Sequence, residues 1–161
     1  YLIDPEIERA EFARLSAVFA KPDQARAWDD NGFAPPIFGE LTSPFGELRL
    51  LNDTVETRHT GWDMRATSGV PIQASAAGRV AFAGLMDIRG NYVIIDHGFC
   101  VFSGYAHMSQ IYVTRGQAVT AGQVLGLTGN TGRSSGPHLH WELNINGDWI
   151  DASAFSRAWI P

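Results

Sequence analysis

Residues 135–143 read "SGPHLHWEL". His138 and His140 stand one residue apart, in a chain with five histidines in all. A Gly-Pro pair precedes them and apolar residues alternate with them. As a strand, this stretch points His138 and His140 to one face and sends Leu139 and Trp141 to the other, toward a core. Two imidazoles on one strand face can neighbour a metal or a reacting group. The plainer alternative is a polar surface strand.

Outward from this stretch, the texture of residues 41–150 is that of short strands punctuated by glycine. The segments "VPIQASAAGRVAFAG", "GNYVIIDHG", "VFSGYAHM" and "IYVTRGQAVTAGQVLGLTG" place apolar, β-branched and aromatic residues between turn signals. Asn146-Gly147 predicts a tight hairpin turn joining Trp141–Ile145 to Trp149-Ile150. The expected fold is therefore mostly β. Residues 1–31 differ. Asp4-Pro5 is a helix start, and Ile3, Ile7, Ala10, Phe12, Leu15 and Phe19 recur at helical spacing. Pro22 ends that pattern, and Asp23–Asp30 are expected to form a second short helix. A Pro/Gly-rich connection, residues 33–46, leads into the main domain. The expected division is an N-terminal helical arm and linker over 1–38 and one domain over 39–161.

Composition narrows the function. A net charge of −5, with Lys21 the sole lysine, argues against a nucleic-acid footprint. No apolar run approaches the length of a transmembrane segment. The chain opens at Tyr1 rather than Met and reads as a mature product, so missing targeting sequence carries no information on location. Cys100 stands alone and no internal disulfide is expected. One hundred and sixty-one residues suffice for a single domain with a real core.

"RHTGWDMR", residues 58–65, places His59 and Asp63 four apart in a Gly-containing stretch. Neutral imidazole and carboxylate both bind zinc, at about 2.0–2.2 Å, and three protein ligands leave a fourth position for water. The residues by themselves suggest a metal site of His59, Asp63 and one of the paired histidines, without choosing between those two. His107 in "SGYAHMS" and His97 in "IDHGF" have only their settings to recommend them.

"HTGWD", "GYAHMS" and "SSGPHLHWEL", in this order and at these separations, resemble the zinc metallopeptidases of the M23 family, the lysostaphin-like or LytM-like peptidases. "LTSPFG", "GNYVIIDHG" and the run from Val113 to His140 add to the likeness, which covers about residues 39–153. The resemblance implies an antiparallel β-sheet with an open groove across the metal. It implies that His59, Asp63 and His140 bind one Zn2+ per chain, and that His107 and His138 assist the attacking water and the transition state. His97 matches a family position that is not a ligand, and the structural reading is kept for it. The resemblance also implies an endopeptidase cutting the peptide crosslinks of bacterial peptidoglycan, in the cell envelope (periplasmic or extracellular). A monomer is expected, with a regulatory envelope protein as a further partner. The loops "NDTVETR" and "GNTGRSS" are expected to wall the groove, with Arg58 or Arg133 available to a peptide carboxylate.

Three rival readings are weighed. A catalytically silent relative that regulates another cell-wall hydrolase usually lacks some metal ligands, and here none is missing. A biotinyl or lipoyl carrier, suggested by "GQAVTAGQVLG", needs a lysine on a hairpin, whereas Lys21 lies in the helical arm. A β-sandwich sugar binder leaves the histidines unexplained.

Overall fold

The computed structural model of the chain describes residues 4–51 and 55–158. Thirteen strands and two helices are formed among them. Helix α1 spans Pro5–Phe19, and β1 (Leu41–Ser43), β2 (Leu48–Leu51) and β3 (Val55–Arg58) follow. Next come β4 (Gly61–Arg65), β5 (Pro71–Gln73), β6 (Gly78–Met86), β7 (Gly90–Asp96) and β8 (Val101–Met108). Then follow β9 (Gln110–Ile111), β10 (Ala118–Val119), β11 (Val124–Leu127), β12 (His138–Ile145) and β13 (Asp148–Ile150), and helix α2 spans Ala152–Ala158.

The main sheet is antiparallel and runs β1-β4-β12-β8-β7-β6-β10. β13 continues the edge that β4 occupies on β12: β4 pairs with residues 138–142 and β13 with 143–145. A smaller sheet, β5-β11-β9, and the β2-β3 pair complete the strands. Ile145 faces Asp148 across the hairpin, and Asn146 and Gly147 both have positive φ, 53° and 90°. That is the turn expected of Asn-Gly, whose twist matches its flanking strands.

Alternation along β12 divides the interior in two. Leu139, Trp141 and Leu143 enter a large core with Tyr105, Val93, Ile95 and Ile72, among others. On the opposite face, Tyr92, Ile94, Phe102 and Ala106 form a second core with Leu15 of α1. Each such side chain, when fully removed from water, contributes roughly 1.5–3 kcal/mol. Helix α1 thus covers one part of the sheet face that carries His138 and His140, and leaves the part beside them open.

α1 begins as anticipated, with the Asp4 side chain accepting a hydrogen bond from Glu6 N at 2.8 Å. Its buried stripe is the expected one only in part, with Leu15 buried and Phe19 packed on the second core. Phe12 and Ile7 are exposed, Ile3 lies outside the described residues, and Glu11 and Leu15 are the buried positions. The helix docks through a carboxylate as well as through apolar contacts, which apolar periodicity alone does not reveal. Residues 23–30 form no helix. They are held as irregular chain instead, by bonds such as Asp23 N to Asp96 Oδ2 at 2.7 Å and Ala27 N to His97 O at 2.9 Å. α2 was not foreseen. Val55–Arg58, expected as loop, pair with β2, and Asn52–Thr54 lie outside the described residues.

Candidate metal centre

Register brings the site together. On neighbouring strands His140 pairs with Asp63, so both side chains leave the sheet on one face. His59 lies in the short connection between β3 and β4. Its backbone N donates to Glu47 O at 3.0 Å, and Gly46 N donates to His59 O at 2.8 Å. The turn in "LTSPFG" therefore anchors the histidine of "HTGWD".

His59 Nε2, Asp63 Oδ1 and His140 Nδ1 form a tight triangle. Their separations are 3.0 Å (His59 to Asp63), 2.9 Å (His59 to His140) and 2.8 Å (His140 to Asp63). All three residues are buried. Among the described residues they are the set of His, Cys, Asp or Glu groups that could hold a metal ion. The outer partners assign the protons. His59 Nδ1 is 2.8 Å from the Pro44 carbonyl, an acceptor only, so Nδ1–H donates there and Nε2 keeps its lone pair. His140 Nε2 is 2.9 Å from Glu142 Oε1, so Nε2–H donates there and Nδ1 keeps its lone pair. Two imidazole lone pairs and a carboxylate oxygen then meet with no proton between them. Three acceptors at such distances repel one another unless a cation lies among them, so these residues fit a metal ion.

Asp63 has a further support. Its Oδ2 accepts from Arg49 Nη2 at 2.8 Å. Burial works to raise the Asp63 pKa, but the neighbouring imidazoles of His140 and His59 outweigh it and hold the carboxyl well below the usual range.

Two more histidines face the same point. His138 Nδ1 lies 2.8 Å from Gly136 O, and its Nε2 is 3.6 Å from Asp63 Oδ1. His107 Nδ1 lies 2.8 Å from Thr131 O. Its ring centroid is 4.7 Å from that of His138 and 6.0 Å from that of His140. Burial, followed by charge on His140, pushes His107 from the ordinary 6.5 down to about 4. It is therefore a neutral imidazole at physiological pH. His97 lies elsewhere, between Ala77 O and Ser103 Oγ in the large core.

These groups line a cavity of about 830 Å³, with α1 contributing Glu8, Arg9 and Phe12 to one wall. Arg133 and Arg58 both border it. Arg133 is engaged with Glu8 of α1 at 3.2 Å.

Sequence reasoning missed the groups behind the ligands. Glu142 is wholly buried, and Arg89 donates to it through Nε (2.9 Å) and Nη2 (2.6 Å). The Tyr92 hydroxyl donates to Glu142 at 2.6 Å, and Arg89 Nη1 reaches Glu11 of α1 at 2.9 Å. Burial works to raise the pKa of Glu142, but the charge of Arg89 overrides it and keeps the group well below the carboxylate range. The strand alternation that paired His138 with His140 extends to Glu142 and could have found it. No signal in the sequence points to Arg89 or Glu11.

Residues 57–152 match Peptidase family M23. Peptidoglycan DD-endopeptidase ShyA of Vibrio cholerae is 44% identical over 113 residues, which are 70% of this chain and 26% of that protein. The chain thus spans about a quarter of that relative's length. A crystal structure of a peptidase M23 from Pseudomonas aeruginosa superposes with a TM-score of 0.81 at 34% identity, over 94% of this chain and 63% of that one. A crystal structure of a zinc containing peptidase from Vibrio cholerae superposes at 0.70 and 31% identity, over 78% of this chain and 39% of that one. With the antiparallel sheet, the clustered His-Asp-His set and a family match over more than half its length, the chain belongs to peptidase family M23.

Proposed function

We propose that this chain is a zinc-dependent endopeptidase that hydrolyses amide bonds in the peptide crosslinks of bacterial peptidoglycan, and acts in the cell envelope. The observation that carries the reading is the convergence of three unprotonated donor atoms at one point on the floor of an open cavity, with two further imidazoles beside it. His59, Asp63 and His140 hold the ion. A zinc ion bound there would supply Lewis-acid chemistry, polarising the scissile carbonyl and lowering the pKa of water toward neutrality.

The chain's own residues carry the protons. His107 and His138 each place Nδ1 against a backbone carbonyl, which leaves Nε2 as the basic nitrogen on the site side. One Nε2 takes a proton from the attacking water, and the pair returns a proton to the leaving amine. The protonated ring adds a positive charge beside the developing oxyanion. The cavity wall formed by α1 and the β2-β3 pair excludes bulk water from one side and orients an extended peptide. The substrate class is supported by the activities for which the Vibrio relative is named and by the size and openness of the cavity.

The test is digestion of purified peptidoglycan by the chain, with and without a chelator, followed by mass analysis of the soluble fragments. Release of fragments cut at a crosslink, lost with chelator and restored by zinc, is the expected result. A zinc-loaded chain that binds peptidoglycan and releases nothing would overturn the enzymatic reading in favour of a silent binding module.

A further inference from the structure

Glu142 has an unusual set of partners for a residue outside the ligand triangle. No part of it reaches solvent, and its two oxygens accept from Arg89, Tyr92, Thr60 and His140. Arg89 itself is gripped from the far side by Glu11, whose second oxygen accepts from Ile88 N at 2.7 Å. Glu11 is 1% exposed, although it lies on a helix whose neighbours face solvent. A buried Glu-Arg-Glu series contributes little to stability compared with well-packed apolar side chains of the same volume. What it supplies is fixed orientation. The end of the series is a hydrogen bond to the ring nitrogen of His140 opposite the one that faces Asp63 and His59.

We propose that Glu142 is a positioning residue for the metal ligand His140, and that Arg89, docked on Glu11, holds Glu142 in place, so that helix α1 and the metal centre form one coupled unit. The inference rests on the metal reading of His59, Asp63 and His140. Glu142 does two things for that ligand. It fixes the tautomer that leaves Nδ1 free, and its charge raises the basicity of the ring toward an ion. Arg89 cannot take another position without leaving two buried carboxylates with no cation between them. Displacement of α1 removes one of those carboxylates and loosens the rest. An arm forty-eight residues ahead of the first ligand in the chain thereby acts on the third.

The experiment measures zinc affinity of the full chain by competition with a chromophoric chelator, together with the visible absorption of the cobalt-substituted protein. Glu142→Gln is expected to weaken zinc by about 10–100-fold, the usual cost of removing such an outer partner, and to shift the cobalt bands. Because that change leaves Arg89 with a single buried carboxylate partner and can impair folding, the paired variant Arg89→Met with Glu142→Gln, made together with Glu11→Gln, removes the cation and both anions. It is expected to fold and still to bind zinc weakly. Glu11→Gln is expected to lower zinc affinity several-fold in the same direction. Zinc binding within two-fold of wild type and unchanged cobalt bands in the paired variant would overturn the positioning role, and unchanged affinity in Glu11→Gln would overturn the coupling to α1. A wild-type chain that takes up no zinc would overturn the metal reading and this inference with it, whereas wild-type binding matched by every variant overturns this inference alone.

Discussion

His107 occupies the left-handed region of backbone space, with φ 59°, and its Nδ1 lies 2.8 Å from the carbonyl oxygen of Thr131. The two facts belong together. A histidine with positive φ costs backbone energy, and such residues persist where surrounding structure over-determines them. Here the strained backbone turns the ring out of β8 toward His138 and His140, and the Thr131 carbonyl fixes which nitrogen carries the proton. The orientation of the ring proposed to transfer protons is thus set by main chain.

The substitution that separates catalysis from metal binding is His107→Asn, because asparagine tolerates positive φ better than most residues. The expected outcome is a fall in turnover of about 10²–10⁴-fold, the usual contribution of a general acid–base group, with zinc content still near one equivalent per chain. Turnover by mass analysis and zinc by elemental analysis check it. Loss of zinc in this variant would move His107 from proton transfer to ligation.

Metal removal is read through stability. With zinc at about a thousand-fold excess over its dissociation constant, binding to the folded state alone stabilises by about 4 kcal/mol. The wild-type chain is expected to unfold at lower temperature in chelator and to recover with zinc. Asp63→Ala is expected to show no response to either, because it removes one corner of the triangle and the partner of Arg49. Calorimetry or circular dichroism reports both.

Gly61 stands between the two proposed ligands of "HTGWD" and pairs with Glu142 of β12. A Cβ there would lie 2.4 Å from the Trp141 carbonyl oxygen and 3.0 Å from Cε1 of His140. Gly61→Ala is therefore expected to force the two strands apart where Gly61 pairs with Glu142, two residues from the step that pairs Asp63 with His140. Overpacking of this kind costs about 1–3 kcal/mol, and zinc affinity should fall with it. Urea unfolding and a zinc titration of the same preparation measure the two effects, and wild-type values in both would refute the close-packing argument.

His97 predicts a pH dependence of stability. Burial, offset in part by the bond to Ala77 O, lowers its pKa from 6.5 to about 4 in the folded chain. The unfolded chain therefore takes up this proton first as pH falls. The associated stability is fully present above pH 6.5, is lost between 6.5 and about 4, and is flat below. The size is roughly 3 kcal/mol at 1.36 kcal/mol per unit. In chelator, wild type should lose about that much more than His97→Gln between pH 7.5 and 4. Parallel curves in urea unfolding would show that His97 is not the group responsible.

Local chemistry was legible where a residue and its neighbours along the chain settle the matter. Asp4 before Pro5 starts a helix because its side chain reaches an amide two residues on. Asn146-Gly147 turns because both residues accept positive φ. His138 and His140 share a face because strand side chains alternate. Legibility failed where the partner is distant. Phe12 and Ile7 fit a helical stripe yet face out, because the turn between β6 and β7 offers α1 a guanidinium at Arg89 and the helix turns Glu11 toward it.

The sequence by itself determined the β-rich architecture, the helical arm, the family likeness and the short list of residues able to bind a metal. Only the tertiary structure decided that His59, Asp63 and His140 converge, since Asp63 and His140 are 77 positions apart and strand register brings them to 2.8 Å. It also decided that Glu11, Arg89 and Glu142 stand in series behind one ligand. Periodicity states which way a side chain faces along its own element. What that side chain meets depends on which elements pack together, and their packing is a property of the whole buried interior.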